Sequence, residues 1–331
     1  MRIEELGEFG LIEQLSKVVA EAGVGQGRNL LIGIGDDASV WRGQGEVQLC
    51  TTDILVEGVH FDLETTTWRE LGWKSLAVNL SDIAAMGGLP AYVVISLGLP
   101  SEVEVEQISE LYSGMAQLAK EFNLLISGGD LTQAPLLIIS PTVLGYAKRG
   151  RLLRRSGAKP GELIAVTGYL GSAAAGLRLL KEKLELGYES QLFLRQAHLH
   201  PLPRIGEAQM LVREGIKVAI DVSDGLLADL EHICQMSGVE ARVWAESLPI
   251  HPVVKAAFGE DSLSLALAGG EDYELLFVGS GKRVHRLKEV MPTPVTIIGE
   301  IVAGEPGRVR VFEGGEPLSQ RGKGWEHFKG R

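Results

Sequence analysis

The chain has 331 residues, 45% of them hydrophobic and 23% charged, a composition typical of a folded globular protein of roughly two domains. Its net charge of −11 argues against nucleic acid as a partner, because an acidic surface repels a phosphate backbone. The two cysteines, Cys50 and Cys234, are far apart in sequence, which argues against a disulfide framework or a thiolate zinc site.

The N-terminus and the apolar segments predict a soluble, cytoplasmic protein without a membrane partner. Residues 1–5 carry acidic side chains where a signal peptide has a basic region and an apolar core. The most apolar stretches, 91–99 and 135–147, are shorter than the ~20 residues that cross a bilayer.

The first half of the chain has the pattern of a mixed α/β domain. Apolar spacing between residues 6 and 19 predicts an amphipathic helix that ends near Gly23. Two longer helices are predicted at 68–86 and 105–122. Apolar runs of strand length predict five strands, at 30–34, 47–51, 92–97, 124–127 and 136–145.

The second half continues the α/β pattern after a break in composition. Residues 149–160 are rich in Gly, Arg, Lys, Ser and Pro, which predicts a division into domains 1–149 and 150–331. Strands are predicted at 163–167, 218–221, 241–244, 274–278, 295–301 and 309–312, and helices at 172–186, 204–214 and 226–236.

Acidic residues recur among glycines, hydroxyls and apolar residues instead of in charged stretches. The segments are 33–37, 51–53, 79–82, 128–130, 221–225 and 269–272. Several directly follow a predicted strand, where ligand crevices form in α/β sheets. Carboxylates gathered there repel one another unless cations compensate them, and Mg²⁺ prefers oxygen ligands combined with substrate phosphates. The pattern predicts a phosphate site with several magnesium ions.

A structural role for the same acids is the alternative. Aspartate beside glycine commonly forms turns and helix caps, so any single segment is compatible with that role. Asp82 differs because it interrupts an apolar helical pattern, as a ligand or a paired buried acid does. For His60 the sequence leaves ligand contact and a structural role open. His198 and His200 lack a partner pattern, which predicts surface positions.

Two familiar nucleotide-binding motifs are disfavoured. Residues 33–38 with Asp53 imitate a dinucleotide fingerprint, but about ten residues from Asp37 to Glu46 are too few for a crossover helix. The sequence contains no P-loop. The turn 168–171 before an Ala-rich helix could bind an anion, although close helix–strand packing is the favoured role.

In their order along the chain these motifs resemble the thiamine-monophosphate kinase family, of the superfamily that includes aminoimidazole-ribonucleotide synthetase and selenophosphate synthetase. The resemblance covers nearly the whole chain: 7–9, 35–37, 51–53, 57–61, 78–87, 128–130, 155–161, 221–226, 269–275 and 324–328. The short motifs occur across the superfamily, whereas their joint order with the closing Gly-Trp-x-His-Phe is specific to the kinase. Residues 131–133 depart from the family, which often has two hydroxyl residues and a basic one there.

The resemblance implies transfer of the ATP γ-phosphoryl group to thiamine monophosphate by direct in-line displacement, giving thiamine diphosphate. It implies several Mg²⁺ ions held by Asp37, Thr51, Thr52, Asp53, Asp82, Asp130, Asp221 and Asp224. ATP would contact Tyr112, Gly129, Arg155 and Ser223, and the thiamine end would contact His60, Glu271 and Trp325. The implied fold is the two-domain PurM-like fold, in a homodimer whose N-terminal strands form a barrel across both copies.

No general base is expected, because the acceptor phosphate oxygen is already ionised at neutral pH, and Mg²⁺ with Arg155 would handle the transferred charge. Two other interpretations stay open. One is another ATP-dependent enzyme of the superfamily, although no cysteine precedes Cys50, as a selenophosphate synthetase would require. The other is a non-catalytic protein that binds divalent cations or nucleotides.

Overall fold

The computed structural model describes residues 29–32, 36–43 and 46–318. The predicted N-terminal helix, the glycines at 33 and 35, and Trp325 lie outside these residues. Within the described ranges, no helix combines the length and apolar character needed to cross a membrane.

The first sheet contains seven strands. They are β1 (Leu30–Ile32), β2 (Ser39–Arg42), β3 (Glu46–Thr52), β4 (Leu55–Val56), β5 (Leu89–Leu99), β6 (Leu125–Gln133) and β7 (Ile138–Lys148). Their order is β1-β2-β3-β7-β5-β6, and β4 pairs with β7. β5 and β6 are parallel, and the other pairs are antiparallel. The five predicted strands are confirmed in position, whereas β2 and β4 were not predicted.

Two helices cover this sheet: α1 (Trp68–Ala85) and α2 (Val105–Glu121). α1 begins at a capping box in which Thr67 accepts from the Glu70 amide and the Glu70 carboxylate accepts from the Thr67 amide. Most of α1 is buried on all sides, because it packs against α2, β7 and elements of the second half. Glycines permit the close approach of the two helices, since a Cβ at Gly72 would lie 1.9 Å from the Leu111 carbonyl oxygen.

The second half contains another seven-stranded sheet. Its strands are β8 (Leu163–Thr167), β9 (Val218–Asp221), β10 (Glu240–Trp244), β11 (Leu275–Gly279), β12 (Val295–Val302), β13 (Val309–Glu313) and β14 (Glu316–Pro317). The order is β14-β13-β10-β12-β8-β11-β9, and within this sheet, as far as the structure describes it, only the β10–β13 pair is parallel. The six predicted strands are confirmed in position.

Among residues 150–318, the described part of the second half, seven α-helices surround the second sheet. They are α3 (Ser172–Glu182), α4 (Tyr188–Leu199), α5 (Ile205–Glu214), α6 (Leu226–Ser237), α7 (Pro252–Phe258), α8 (Asp261–Ala268) and α9 (Gly281–Val290). The predictions located α3, α5 and α6 and missed the other four. The structure is therefore of mixed α/β class, as predicted.

One apolar core connects the two halves. Leu76 and Ile83 of α1 belong to the same buried cluster as Leu211 of α5 and Phe277 of β11. The predicted domain boundary at residue 149 falls in the connection between β7 and β8. It stays a prediction, because the core is continuous there.

Candidate active site

Three aspartates from distant parts of the chain converge where the two halves meet. Asp37 lies just before β2, Asp82 is in the last turn of α1, and Asp221 ends β9. Each offers a carboxylate oxygen, and these oxygens lie within 4.8 Å of one another. Asp37 and Asp221 are buried and Asp82 is partly exposed. We call these three residues the carboxylate cluster.

Each carboxylate of the cluster is oriented by one polar side chain. The Thr51 hydroxyl donates to Asp82 Oδ2 at 2.5 Å, and the Ser81 hydroxyl donates to Asp221 Oδ2 at 2.5 Å. Arg155 Nη2 donates to Asp37 Oδ1 at 2.7 Å. Two of these three contacts, Ser81 with Asp221 and Arg155 with Asp37, join one half of the chain to the other.

The cluster fits a hard divalent cation. Asp37 Oδ2 is buried and has no hydrogen-bond partner among the described residues. A buried carboxylate oxygen without a partner is costly, and oxygen ligands of this kind are those that Mg²⁺ takes.

The pKa values of the acids in and near the cluster also favour a bound cation. Burial, reinforced by Asp37, raises the pKa of Asp221 to about 7. Burial and then the neighbouring carboxylates, Asp53 first, raise the pKa of Asp82 well above its ordinary value. Burial also raises the pKa of Asp53 to about 6. Full ionisation at neutral pH is therefore unfavourable unless positive charge is added.

Asp53 is positioned by its backbone. Its N–H donates to Asn79 Oδ1 at 3.0 Å, and its carbonyl accepts from the Ser140 hydroxyl at 3.0 Å. Thr51 and Thr52 alternate in direction along β3, as neighbours on a strand do. Thr51 is buried beside Asp82, whereas Thr52 is exposed and its hydroxyl donates to the Pro141 carbonyl.

The remaining predicted ATP and metal residues lie on other elements of the structure. Gly129 and Asp130 are exposed on β6, and Tyr112 is half-buried on α2. Gly129 permits close pairing of β6 with β5, since a Cβ there would lie 1.9 Å from the Ile95 carbonyl oxygen. Asp130 and Asp224 are not members of the carboxylate cluster. Their metal roles stay predictions.

The loop that carries Ser223 and Asp224 is held by an aspartate that the sequence analysis missed. Asp229, buried in the first turn of α6, accepts from the backbone N–H groups of Ser223, Asp224 and Gly225 at 3.1, 3.2 and 3.1 Å. An acid in the first turn of a predicted helix, directly after an acidic loop, was the available signal. Asp229 therefore fixes the direction in which this loop presents its amides and side chains.

The glycine turn before α3 has the packing role that the sequence favoured. Asp272 accepts from the Gly171 and Ala173 amides at 2.6 and 3.0 Å and so caps α3. A Cβ at Gly171 would lie 2.7 Å from the Ala266 nitrogen, which explains the glycine at φ 77°. Asp272 is thus a structural member of its acidic segment.

Glu271 lies in a polar cluster with Lys74 and His198. Lys74 Nζ lies 2.9 Å from Glu271 Oε1 and 3.0 Å from Oε2, and His198 Nδ1 lies 3.2 Å from Oε2. Burial alone would raise the pKa of Glu271, but Lys74 and His198 lower it to about 2. Lys74, on α1, was not singled out by the sequence analysis. We call Lys74 and His198 the clamp residues.

The surface position predicted for His198 is wrong. His198 is buried, because α4, a helix the sequence analysis did not predict, packs this side against α1 and α3. His200 is half-buried, with its ring 5.2 Å from that of Trp73. His60 is also half-buried, and its Nδ1 accepts from the Val56 amide at 3.0 Å, which orders the 56–60 turn.

The depressed pKa of Glu271 predicts a pH-dependent contribution to stability. A carboxyl whose folded pKa lies near 2, against 4.5 ordinarily, stabilises the fold above pH 4.5, and the contribution is lost as pH falls toward 2. We expect the loss in unfolding free energy caused by Glu271→Gln to be about 1 kcal/mol larger at pH 6 than at pH 3.5. Chemical denaturation at both pH values measures it. Glu289→Gln, at an exposed position of α9, is the control. An equal loss at both pH values would contradict the assignment.

The two-sheet fold with a carboxylate cluster where its halves meet defines an α/β protein with a candidate divalent-cation site, and comparison with known proteins identifies its family. The family model for AIR synthase related protein, N-terminal domain, matches residues 35–147. The thiamine-monophosphate kinase of Aquifex aeolicus is 36% identical over 99% of this chain and 100% of its own length. That of Salmonella typhimurium is 38% identical over 97% and 98%. A solved structure described as AaThiL complexed with AMPPCP and TMP superimposes with a TM-score of 0.86, at 34% identity and 99% coverage of both chains.

The chain belongs to the thiamine-monophosphate kinase family. The family suggested by the sequence motifs is therefore confirmed.

Proposed function

We propose that this protein transfers the γ-phosphoryl group of ATP to thiamine monophosphate, forming thiamine diphosphate and ADP in one in-line step. The observation that carries the proposal is the carboxylate cluster, with its unpartnered Asp37 oxygen, in a chain that matches thiamine-monophosphate kinases over their full length. A structural neighbour described as complexed with AMPPCP and TMP supports the same pair of substrates.

The metal site proposed here centres on Asp37, Asp82 and Asp221. It is completed by the acidic and hydroxyl residues that the family resemblance implies: Thr51, Thr52, Asp53, Asp130 and Asp224. When bound, several Mg²⁺ ions would neutralise the phosphate oxygens and allow two polyanions to approach. The raised pKa values of Asp53, Asp82 and Asp221 support this role, since these groups gain most from added positive charge.

The chain's own residues bind and orient the substrates. Arg155, held by its hydrogen bond to Asp37, is proposed to contact ATP together with Tyr112, Gly129 and Ser223, and its charge would favour the transferred phosphoryl group. His60, Glu271 and Trp325 are proposed to contact the thiamine end. An oxygen of the acceptor phosphate forms the new bond to phosphorus while the bond to ADP breaks. No side chain has to remove a proton, because that oxygen is already ionised.

We also propose that the protein is a homodimer that buries the exposed face of β6. All nine residues of β6 are exposed, including Leu125, Ile126 and Leu131, and Tyr92 and Val94 of β5 are exposed beside them. A long apolar edge strand of this kind is normally covered, and a symmetric second copy supplies a matching edge. Two open sheets joined here would form the barrel that the resemblance implies.

The dimer predicts an effect of charge on β6. We expect the wild type to elute at twice 35.7 kDa and Leu131→Asp to shift toward the monomer mass in light scattering coupled to size-exclusion chromatography. Val290→Asp, at an exposed apolar position at the end of α9, should leave the mass unchanged. A monomeric wild type, or a Leu131→Asp variant with the full dimer mass, would contradict the proposed interface.

The function is tested by measuring ADP release with ATP, Mg²⁺ and thiamine monophosphate, with free thiamine as the parallel acceptor. Mass spectrometry identifies the product. We expect thiamine diphosphate from the monophosphate and no product from thiamine, because the proposed acceptor is a phosphate oxygen. ATP binding by calorimetry without turnover on either acceptor would overturn the proposal and favour another acceptor or a non-catalytic binding protein.

A further inference from the structure

The contacts of Glu271 extend into both halves of the molecule. Lys74 comes from α1 in the first half, and His198 comes from α4 in the second. Both meet the carboxylate, and Lys74 Nζ also lies 3.5 Å from His198 Nε2. We propose that Lys74 and His198 are positioning residues that fix the Glu271 carboxylate toward the thiamine end of the substrate. This inference rests on the proposed function, in which Glu271 is a substrate contact.

The exposure of the three side chains distinguishes this cluster from a purely structural ion pair. The side chains of Lys74 and His198 are 3% and 6% exposed, whereas that of Glu271 is 29% exposed. The side chains of Lys74 and His198 are therefore buried, and of the three only the Glu271 side chain retains a substantial accessible surface. A buried pair contributes little net stability compared with apolar residues of the same size, so stability alone gives no reason for this arrangement.

The backbone of Glu271 is strained, and it is hydrogen-bonded to the segment that follows Asp221 of the carboxylate cluster. Glu271 and Tyr273 have φ values of 67° and 50°, in the left-handed region that non-glycine residues rarely adopt. The Glu271 amide donates to the Ser223 carbonyl at 2.8 Å, and the Tyr273 amide donates to the Val222 carbonyl at 2.8 Å. The strand end that carries Asp221 thus continues into the segment that holds Glu271 in place.

The clamp residues also determine the net charge around Glu271. An uncompensated carboxylate in a site that is already acidic would raise the electrostatic cost of the site. Lys74 compensates the charge of Glu271 directly, while burial and the nearby Lys74 lower the pKa of His198 and keep its ring neutral at pH 7. Glu271 can then act as an oriented hydrogen-bond acceptor for a cationic or N–H-bearing heterocycle without adding net charge to the site.

The test compares Lys74→Met, Lys74→Arg, Glu271→Gln and the double variant Lys74→Met/Glu271→Gln in steady-state assays on the full-length protein. We expect Lys74→Met to raise KM for thiamine monophosphate about tenfold or more and to change KM for ATP less than about twofold. Lys74→Arg should recover part of the loss. In the Glu271→Gln background, Lys74→Met should add less than about twofold, because its effect passes through Glu271.

Ser75→Ala is the matched control, because Ser75 is buried on the same helix and its hydroxyl donates to the Gly72 carbonyl. It should lower Tm slightly and leave both KM values unchanged. Equal changes in the two KM values for Lys74→Met, or full additivity in the double variant, would overturn the inference. If Lys74→Met does not fold, His198→Gln must give the same selective rise in KM for thiamine monophosphate.

Failure of the inference and failure of the proposed function give different results. A wild type that forms no thiamine diphosphate overturns the proposed function, and the inference falls with it. A wild type that forms the product, with a Lys74→Met variant of unchanged KM for thiamine monophosphate, overturns the inference alone.

Discussion

Replacing Asp82 with asparagine should lower the rate of thiamine diphosphate formation on the order of 10²- to 10³-fold while leaving the metal-free protein at least as stable as the wild type. Asp82 is central to the carboxylate cluster, and asparagine keeps an oxygen that can accept from Thr51. Burial and neighbouring carboxylates make the ionised form of Asp82 unfavourable. A neutral side chain therefore relieves repulsion in the absence of metal and removes a ligand in its presence.

Two measurements check this expectation. Steady-state assays at saturating ATP and Mg²⁺ give the rate, and thermal melts with and without Mg²⁺ give the stabilisation by metal, which should be smaller for the variant. Asp261→Asn, at an exposed position that pairs only with Arg178 in the described contacts, is the control. A variant with wild-type turnover and a wild-type response of Tm to Mg²⁺ would remove Asp82 from the metal site.

Arg155→Lys should lower kcat about 10²-fold or more and leave KM for thiamine monophosphate within about threefold of the wild type. Arg155 Nη2 is bonded to Asp37, while its Nε is buried without a hydrogen-bond partner among the described atoms. The planar guanidinium can therefore contact Asp37 and a phosphate oxygen together. A lysine ammonium retains the positive charge but lacks the planar group that donates hydrogen bonds in two fixed directions.

The neighbouring residue supplies the control for this prediction. Arg154 carries the same charge, but its side chain is exposed, and its backbone makes hydrogen bonds, to the Lys217 carbonyl and from the Ala219 amide. Arg154→Lys should retain wild-type kcat, and both variants should melt within a few degrees of the wild type. Similar kcat values for Arg155→Lys and the wild type would show that the guanidinium geometry is not used in the transfer.

Most of the sheet residues could be predicted from the sequence, because buried strands appear in it as continuous apolar segments. The prediction shortened β6 to 124–127, since Gly128, Gly129 and Asp130 have the composition of a loop. In the structure, pairing with β5 keeps these residues extended, with Gly129 opposite Ile95. Tertiary pairing overrides local composition at this point.

The helices that were missed have narrow apolar faces. α9 buries only Val284 and Leu287 along ten residues that include five basic side chains, and α4 buries only Leu194, His198 and Leu199. Helix prediction depends on apolar positions that recur at helical spacing, and these helices have too few of them. The error at His198 follows directly from the missing α4.

Site residues could be predicted where an acid was unusual among its sequence neighbours. They could not be predicted where the role of a side chain depends on a partner that is distant in sequence. Asp82 was singled out because it interrupts an apolar helix. Lys74 interrupts the same helix and gave the same signal, but its partner Glu271 lies 197 residues away along the chain. Ser81 likewise acquires its role only through Asp221, which no spacing within α1 could reveal.

Because most of α1 is buried, this helix fixes the spacing between the side chains that it carries. It carries Lys74 in its second turn and Asp82 in its last turn, eight residues apart, which corresponds to about 12 Å along the axis. The helix therefore holds the partner of Glu271 and a member of the carboxylate cluster at a fixed separation along its axis. Inserting one residue between the two positions would add about 1.5 Å and turn one set of side chains by about 100° relative to the other, so this segment should be less tolerant of length changes than any surface loop.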